Sequence, residues 1–93
     1  MIEQLEKQQL NENLQSENQE NNYNIILYND DYNTFDWVIT CLMNYCSHTY
    51  MQAGQCADIV HNKGKCAVKQ GSYNKLKPIC KKLIDSNLTA KIE

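Results

Sequence analysis

The chain has 93 residues and a net charge of −2, enough for one small domain whose core cannot be divided and remain stable. The charge is unevenly spread: residues 1–22 carry five Glu and one Lys (net −4), and residues 23–93 carry eight Lys against five Asp and one Glu (net +2). With no Arg and no basic stripe the sequence excludes a nucleic-acid partner, and no apolar run approaches the roughly 20 residues of a membrane span.

Residues 1–22 are rich in Gln, Asn and Glu, with isolated Ile2, Leu5, Leu10 and Leu14. Too few apolar groups are present to offset an ordering cost of about 1–2 kcal/mol per residue, so a disordered N-terminal extension is expected. Leu10 and Leu14 are four apart and could share one helix face. Residues 23–93 are expected to form the folded domain. Its first strand is predicted at Asn24–Tyr28, and it turns polar at Asn29-Asp30-Asp31.

A helix follows, capped by Asn33 or Thr34, with Asp36 in the first turn toward the positive end of the dipole. Phe35, Val38, Ile39, Leu42, Met43 and Cys46 recur at the helical period and are expected to be its core stripe, with Trp37, Cys41 and Tyr45 on a second flank. After Ser47-His48, Thr49 and Gln52 form a candidate capping box for a second helix beginning at Tyr50 and reaching about His61. Its inward side is small (Ala53, Gly54, Cys56, Ala57 and Val60), and Gly64 supplies a left-handed stop.

Lys65–Gln70 is predicted as a second strand, with Cys66 and Val68 on one face. A third helix carries Leu76, Ile79, Cys80, Leu83 and Ile84. Pro78 within it predicts an irregular lead-in and a regular helix only from Pro78 onward. Asn87 ends that helix, and Leu88–Ile92 is the last strand. The order β-α-α-β-α-β predicts an α+β fold, a three-stranded antiparallel or mixed sheet packed against helices on one face.

Five cysteines, an odd number without C-x-x-C spacing, read as reduced thiols in a cytoplasmic protein. The groups able to do chemistry are Asn29, Asp30, Asp31 and His61, with His48 apart from them. Two carboxylates beside an amide suit a cation or an ammonium. An acid–base pair or a metal site built from Asp30, Asp31 and His61 is the alternative, although no nucleophile elbow or phosphate loop accompanies them.

The run Tyr23-Asn24-Ile25-Ile26-Leu27-Tyr28-Asn29-Asp30-Asp31-Tyr32, followed by Phe35-Asp36-Trp37-Val38-Ile39, resembles the start of the ClpS family. These are bacterial adaptors of the Clp protease in the N-degron pathway. The likeness continues through Gln55-Cys56-Ala57-Asp58-Ile59-Val60-His61-Asn62-Lys63-Gly64-Lys65 and resumes at Leu88–Glu93, in the family's order and spacing.

The resemblance implies a non-enzymatic, monomeric recognition module with no cofactor and no metal. Such a module binds the free amino group and bulky first residue of N-degron peptides and proteins, then delivers them to a Clp AAA+ unfoldase of the ClpA or ClpC type. By the same resemblance Asn29, Asp30 and a neutral His61 would accept from the substrate's ammonium, Asp31 would shape the loop, and the N-terminal extension would serve delivery. Asn33, Phe35, Val38, Ala57, Val60 and Leu88 would line the side-chain pocket. Three departures stand out: Asn33-Thr34 replaces the common Thr-Pro, and Phe35 and Ala57 each occupy a position where Met is common.

Overall fold

A central strand, β1 (Tyr23–Tyr28), alternates so that Ile25 and Leu27 are fully buried, while Ile26 and Tyr28 on the opposite face are half-buried. This is from a computed structural model that describes residues 22–93; the expectation of disorder over residues 1–22 falls, but for Asn22, outside the described residues. The elements that follow are α1 (Phe35–Tyr45), α2 (Tyr50–Lys63), β2 (Lys65–Gly71), α3 (Tyr73–Asp85) and β3 (Thr89–Ile92). The sheet order is β2-β1-β3, both pairings antiparallel. The α+β order β-α-α-β-α-β is as the patterning predicts.

Each helix begins at a residue whose chemistry explains it, and α2 and α3 also end at one. The Thr34 hydroxyl accepts from the Trp37 amide, and the Ser72 hydroxyl from the Lys75 amide. Thr49 and Gln52 close a reciprocal capping box. At the far end of α3, Asn87 is left-handed (φ 73°); its N–H donates to the Ile84 carbonyl and that of Leu88 to the Leu83 carbonyl. That is a Schellman stop, with buried Leu88 and Leu83 as its apolar pair.

At the end of α2, Gly64 adopts φ 95° and donates to the Val60 carbonyl. A Cβ there would meet nothing within 4 Å, so Gly64→Ala carries backbone strain alone. It should lower stability by about 1–2 kcal/mol in a urea titration. An unchanged midpoint would show that this turn relaxes without a left-handed residue.

Three expectations are corrected. The buried face of α1 is Ile39, Cys41 and Leu42, with Cys46 at its cap, whereas Phe35 (44% exposed) and Met43 (40%) lie outside the core. Helix α1 packs against both α2 and α3, so its covered arc turns toward the Cys41 flank. Helix α3 is regular from Tyr73, five residues before Pro78. Pro78 and Asn74, whose carbonyl loses its donor, are both exposed, so water can satisfy that carbonyl. Ile84 in the α3 stripe is 51% exposed.

Strand β2 carries a bulge. Ile25 faces Lys69 and Ile26 faces Ala67, so Val68 is the extra residue. The His48 ring donates from Nε2 to the Val68 carbonyl at 2.7 Å, satisfying a group the irregular ladder leaves free. The core closes on Ile25, Leu27, Leu42, Leu76 and Leu83, with Cys41, Cys46 and Cys80 packed among them as free thiols. Burial pushes Cys46 up to about 11, so it stays neutral and behaves as a small hydrophobe.

Candidate functional site

The loop from Asn29 to Thr34 is shaped by its own first carboxylate. Asp30 Oδ1 accepts from the amides of Tyr32 and Asn33, both at 2.9 Å, and Oδ2 accepts from Asn33 Nδ2 at 2.8 Å. Partial burial alone would raise the Asp30 carboxyl, but the Asn33 and Tyr32 donors together outweigh it and hold the group below the ordinary carboxylate range. The same Asn33 Nδ2 donates to the Asn87 carbonyl at 2.8 Å, and Trp37 Nε1 donates to the Ser86 carbonyl at 3.0 Å. The loop and α1 are thereby tied to the α3–β3 connection that places Leu88.

On the other side, the Asn29 amide donates to the Gly64 carbonyl at 2.9 Å. The end of β1 is thus fixed to the end of α2, and His61 in the last turn of α2 is brought to the same rim as Asn29. These ties surround a cavity of about 420 Å³ lined by Asn29, Asp30, Asp31, Asn33, Phe35, Val38, Ala57, Val60 and His61. That volume lies within the range of roughly 300–1,000 Å³ typical of ligand pockets. One wall is polar (Asn29, Asp30, Asp31, His61) and the other apolar (Phe35, Val38, Ala57, Val60). Ala57 and Val60 are buried, whereas Phe35 is half-exposed.

Of the ten residues singled out in the sequence, Asp31 included, nine line this cavity. Leu88 does not; it is buried beside a separate small void of about 20 Å³ lined also by Leu27, Val38 and Val60. Asn33 sits on the wall with its amide already committed to Asp30 and Asn87, so it contributes form rather than a free donor.

Both carboxylates line the cavity, and Asp30 also takes hydrogen bonds within the loop that the resemblance assigns Asp31 to shape. Asp30 shapes the loop. Asp31 is an exposed cavity-wall residue, and among the described residues its side chain has no hydrogen-bond partner; the same holds for Asn29 and His61. The sequence held a signal for this, because an Asp followed two residues later by a turn amide is the pattern of an Asx turn. Gly64, Trp37 and Asn87 position the site from outside it. Among the described residues no three of His, Cys, Asp and Glu converge as a metal site, and His48 is committed to the β2 bulge.

What this arrangement can do chemically is limited and specific. Asn29, Asp30, Asp31 and His61, all able to accept and two of them carboxylates, line the same cavity as Phe35, Val38, Ala57 and Val60. An ammonium carries three donors and no acceptor, so it complements such a rim.

Comparison with known proteins gives the site a context. The family model for ATP-dependent Clp protease adaptor protein ClpS matches residues 18–91. An ATP-dependent Clp protease adapter protein from Thermosynechococcus vestitus is 35% identical over 69 residues, which span 73% of each chain. The structure of Agrobacterium tumefaciens ClpS2 bound to L-phenylalaninamide superposes with a TM-score of 0.73 at 19% identity, covering 76% of this chain and 93% of that one. At that identity the likeness is one of fold.

Proposed function

This chain belongs to the ClpS family of ATP-dependent Clp protease adaptors, and from that premise we propose that its cavity receives the first residue of a protein marked for degradation. The α-ammonium lies against Asn29, Asp31 and His61, and the first side chain enters between Phe35, Val38, Ala57 and Val60. Asp30 keeps the loop in register and adds negative charge behind Asp31. The observation that carries this reading is the pairing, in one cavity, of uncommitted acceptors with a buried apolar wall. L-phenylalaninamide, the molecule bound to the related ClpS2, has the same two halves: a free amino group and an aromatic side chain.

An α-amino group has an unperturbed pKa of about 7.7–8 and is mostly charged at neutral pH. Each charge-assisted bond to it contributes roughly 1.5–3 kcal/mol, and burying a Leu or Phe side chain contributes about as much. After the costs of association, a dissociation constant in the micromolar range, about −8 kcal/mol, is expected. The reading uses Asp30 as a structural group held ionised by its own loop, which removes one partner from an acid–base pair built on Asp30 and His61.

On this reading the folded domain works as a cytoplasmic monomer, and residues 1–22 serve in handing the bound protein to a Clp AAA+ unfoldase of the ClpA or ClpC type. The test is a panel of peptides identical except at the first residue. Phe-, Tyr-, Trp- and Leu-initiated peptides should bind at least about thirtyfold more tightly than the Ala-initiated one, the equivalent of about 2 kcal/mol. Equal binding of Ala- and Phe-initiated peptides would remove the side-chain pocket from the proposal.

A further inference from the structure

A second groove, of about 560 Å³, runs between α3 and β3. Its apolar lining is Tyr73, Cys80, Ile84, Ala90 and Ile92, with Tyr73 and Ile84 about half exposed. Lys77, Lys81 and Lys91 also line it; Asp85, the one acid among the lining residues, is paired with Lys81 at 2.9 Å, and the Lys91 ammonium stands over the Tyr28 ring, 5.8 Å from its centroid, on the other face of the sheet. Within the described sheet β3 is an edge strand, so the outward backbone groups of this wall are unpaired as well. An exposed apolar strip rimmed by cations suits a polypeptide that carries aliphatic side chains and carboxylates together.

The chain itself supplies a segment of that chemistry. Residues 1–21 hold five Glu against one Lys, together with Ile2, Leu5, Leu10 and Leu14. The segment joins the fold at this groove: the Tyr23 ring stands edge-on to Tyr73, with centroids 5.5 Å apart, and Asn24 exchanges backbone hydrogen bonds of 2.8 Å with Glu93, next to Ile92. From Tyr73 to Ile84 along α3 is about 17 Å at 1.5 Å per residue. The eight residues between Leu14 and Tyr23 reach up to about 26 Å when extended. Leu10 and Leu14 can therefore reach any point of the groove. A tether this short holds the segment at an effective concentration of roughly millimolar, so even a weak contact is populated.

We propose that the groove between α3 and β3 is the docking site for residues 1–21 of the same chain, with Leu10 and Leu14 on its apolar floor and the glutamates facing Lys77 and Lys81. The hold is part electrostatic and therefore salt-sensitive. It gives the adaptor a means of keeping its extension on its own surface until a competing partner or higher ionic strength frees it. Nothing in this inference depends on what the other cavity binds.

The experiment is NMR on the uniformly ¹⁵N-labelled full chain. Replacing Leu10→Ser and Leu14→Ser together should move the amide resonances of Lys77, Lys81, Ile84, Lys91 and Ile92 and leave those of Asn29, Asp31 and His61 in place. Raising salt from about 0.1 M to 1 M, which shortens the screening length from about 10 Å to about 3 Å, should move the same resonances in the same direction. The heteronuclear NOE of residues 10–17 should fall toward zero in both cases. The Lys77→Glu, Lys81→Glu variant should show that fall at low salt without altering the leucines. Groove resonances identical in the native chain and the Leu10→Ser, Leu14→Ser chain would overturn the proposal. So would groove shifts that scale with protein concentration, which would make the occupant a second copy.

Discussion

Acetylating the α-amino group of a Phe-initiated peptide should weaken its binding at least about a hundredfold, the largest effect expected from any single change to the ligand. The acetylated nitrogen loses its charge and keeps one N–H where three were. Against Asn29, Asp31 and His61, whose side chains have no other partner among the described residues, that removes at least two charge-assisted bonds, about 3–6 kcal/mol in all. The acetyl group must also occupy the space on the polar side of the cavity. Isothermal titration of matched free and acetylated peptides measures this directly. Comparable affinities would mean that the cavity reads a side chain and leaves the amino group in solvent, and the assignment of the polar rim would fall with them.

Much of the fold was legible because its signals are local. The caps Thr34, Thr49 with Gln52, and Asn87 stand where hydroxyls and a left-handed Asn are needed. The alternation of Ile25 and Leu27 fixes which face of β1 is buried. What the sequence missed depends on three-dimensional company. A helical period identifies an apolar arc, but only the neighbours decide how much of it is covered. With both α2 and α3 against α1, Cys41 goes inside and Phe35 is left half-exposed on the cavity lining. The bulge at Val68 leaves no trace in the pattern, because Cys66 and Val68 are spaced as they would be in an unbroken strand. Pro78 suggests an irregular start to α3, yet the helix runs through it because its missing bond falls on the exposed side. For the site, the residue types and their convergence on one cavity were legible, whereas the division of labour proposed for the two adjacent aspartates rests on the path of the loop.

That division can be measured. Asp31→Ala should weaken binding of the Phe-initiated peptide by roughly a hundredfold, about 3 kcal/mol, because it removes the anionic partner of an ammonium. Its effect on stability should be small, within about 0.5 kcal/mol, since an exposed side chain with no partner holds nothing together. Asp30→Ala should do the reverse in kind. It removes the acceptor of the Tyr32 and Asn33 amides and of Asn33 Nδ2, and it loosens the tie to Asn87. A stability loss of about 3 kcal/mol is expected, with affinity falling only as far as the loop disorders. The pH dependence separates the two further. The Asp30 carboxyl is held below its ordinary range in the folded chain. Its contribution is therefore complete above the unfolded carboxylate value of about 3.9 and is lost as pH falls through the lower folded value. Asp30→Asn should flatten the acid limb of the stability curve, while Asp31→Asn should leave that contribution in place. Urea titrations of the native chain and both variants, from neutral pH down into the acid limb, give the answer. Equal stability losses for the two alanine variants would erase the distinction drawn between them. An Asp31→Ala protein that binds the peptide as tightly as the native chain would return the ammonium to Asp30.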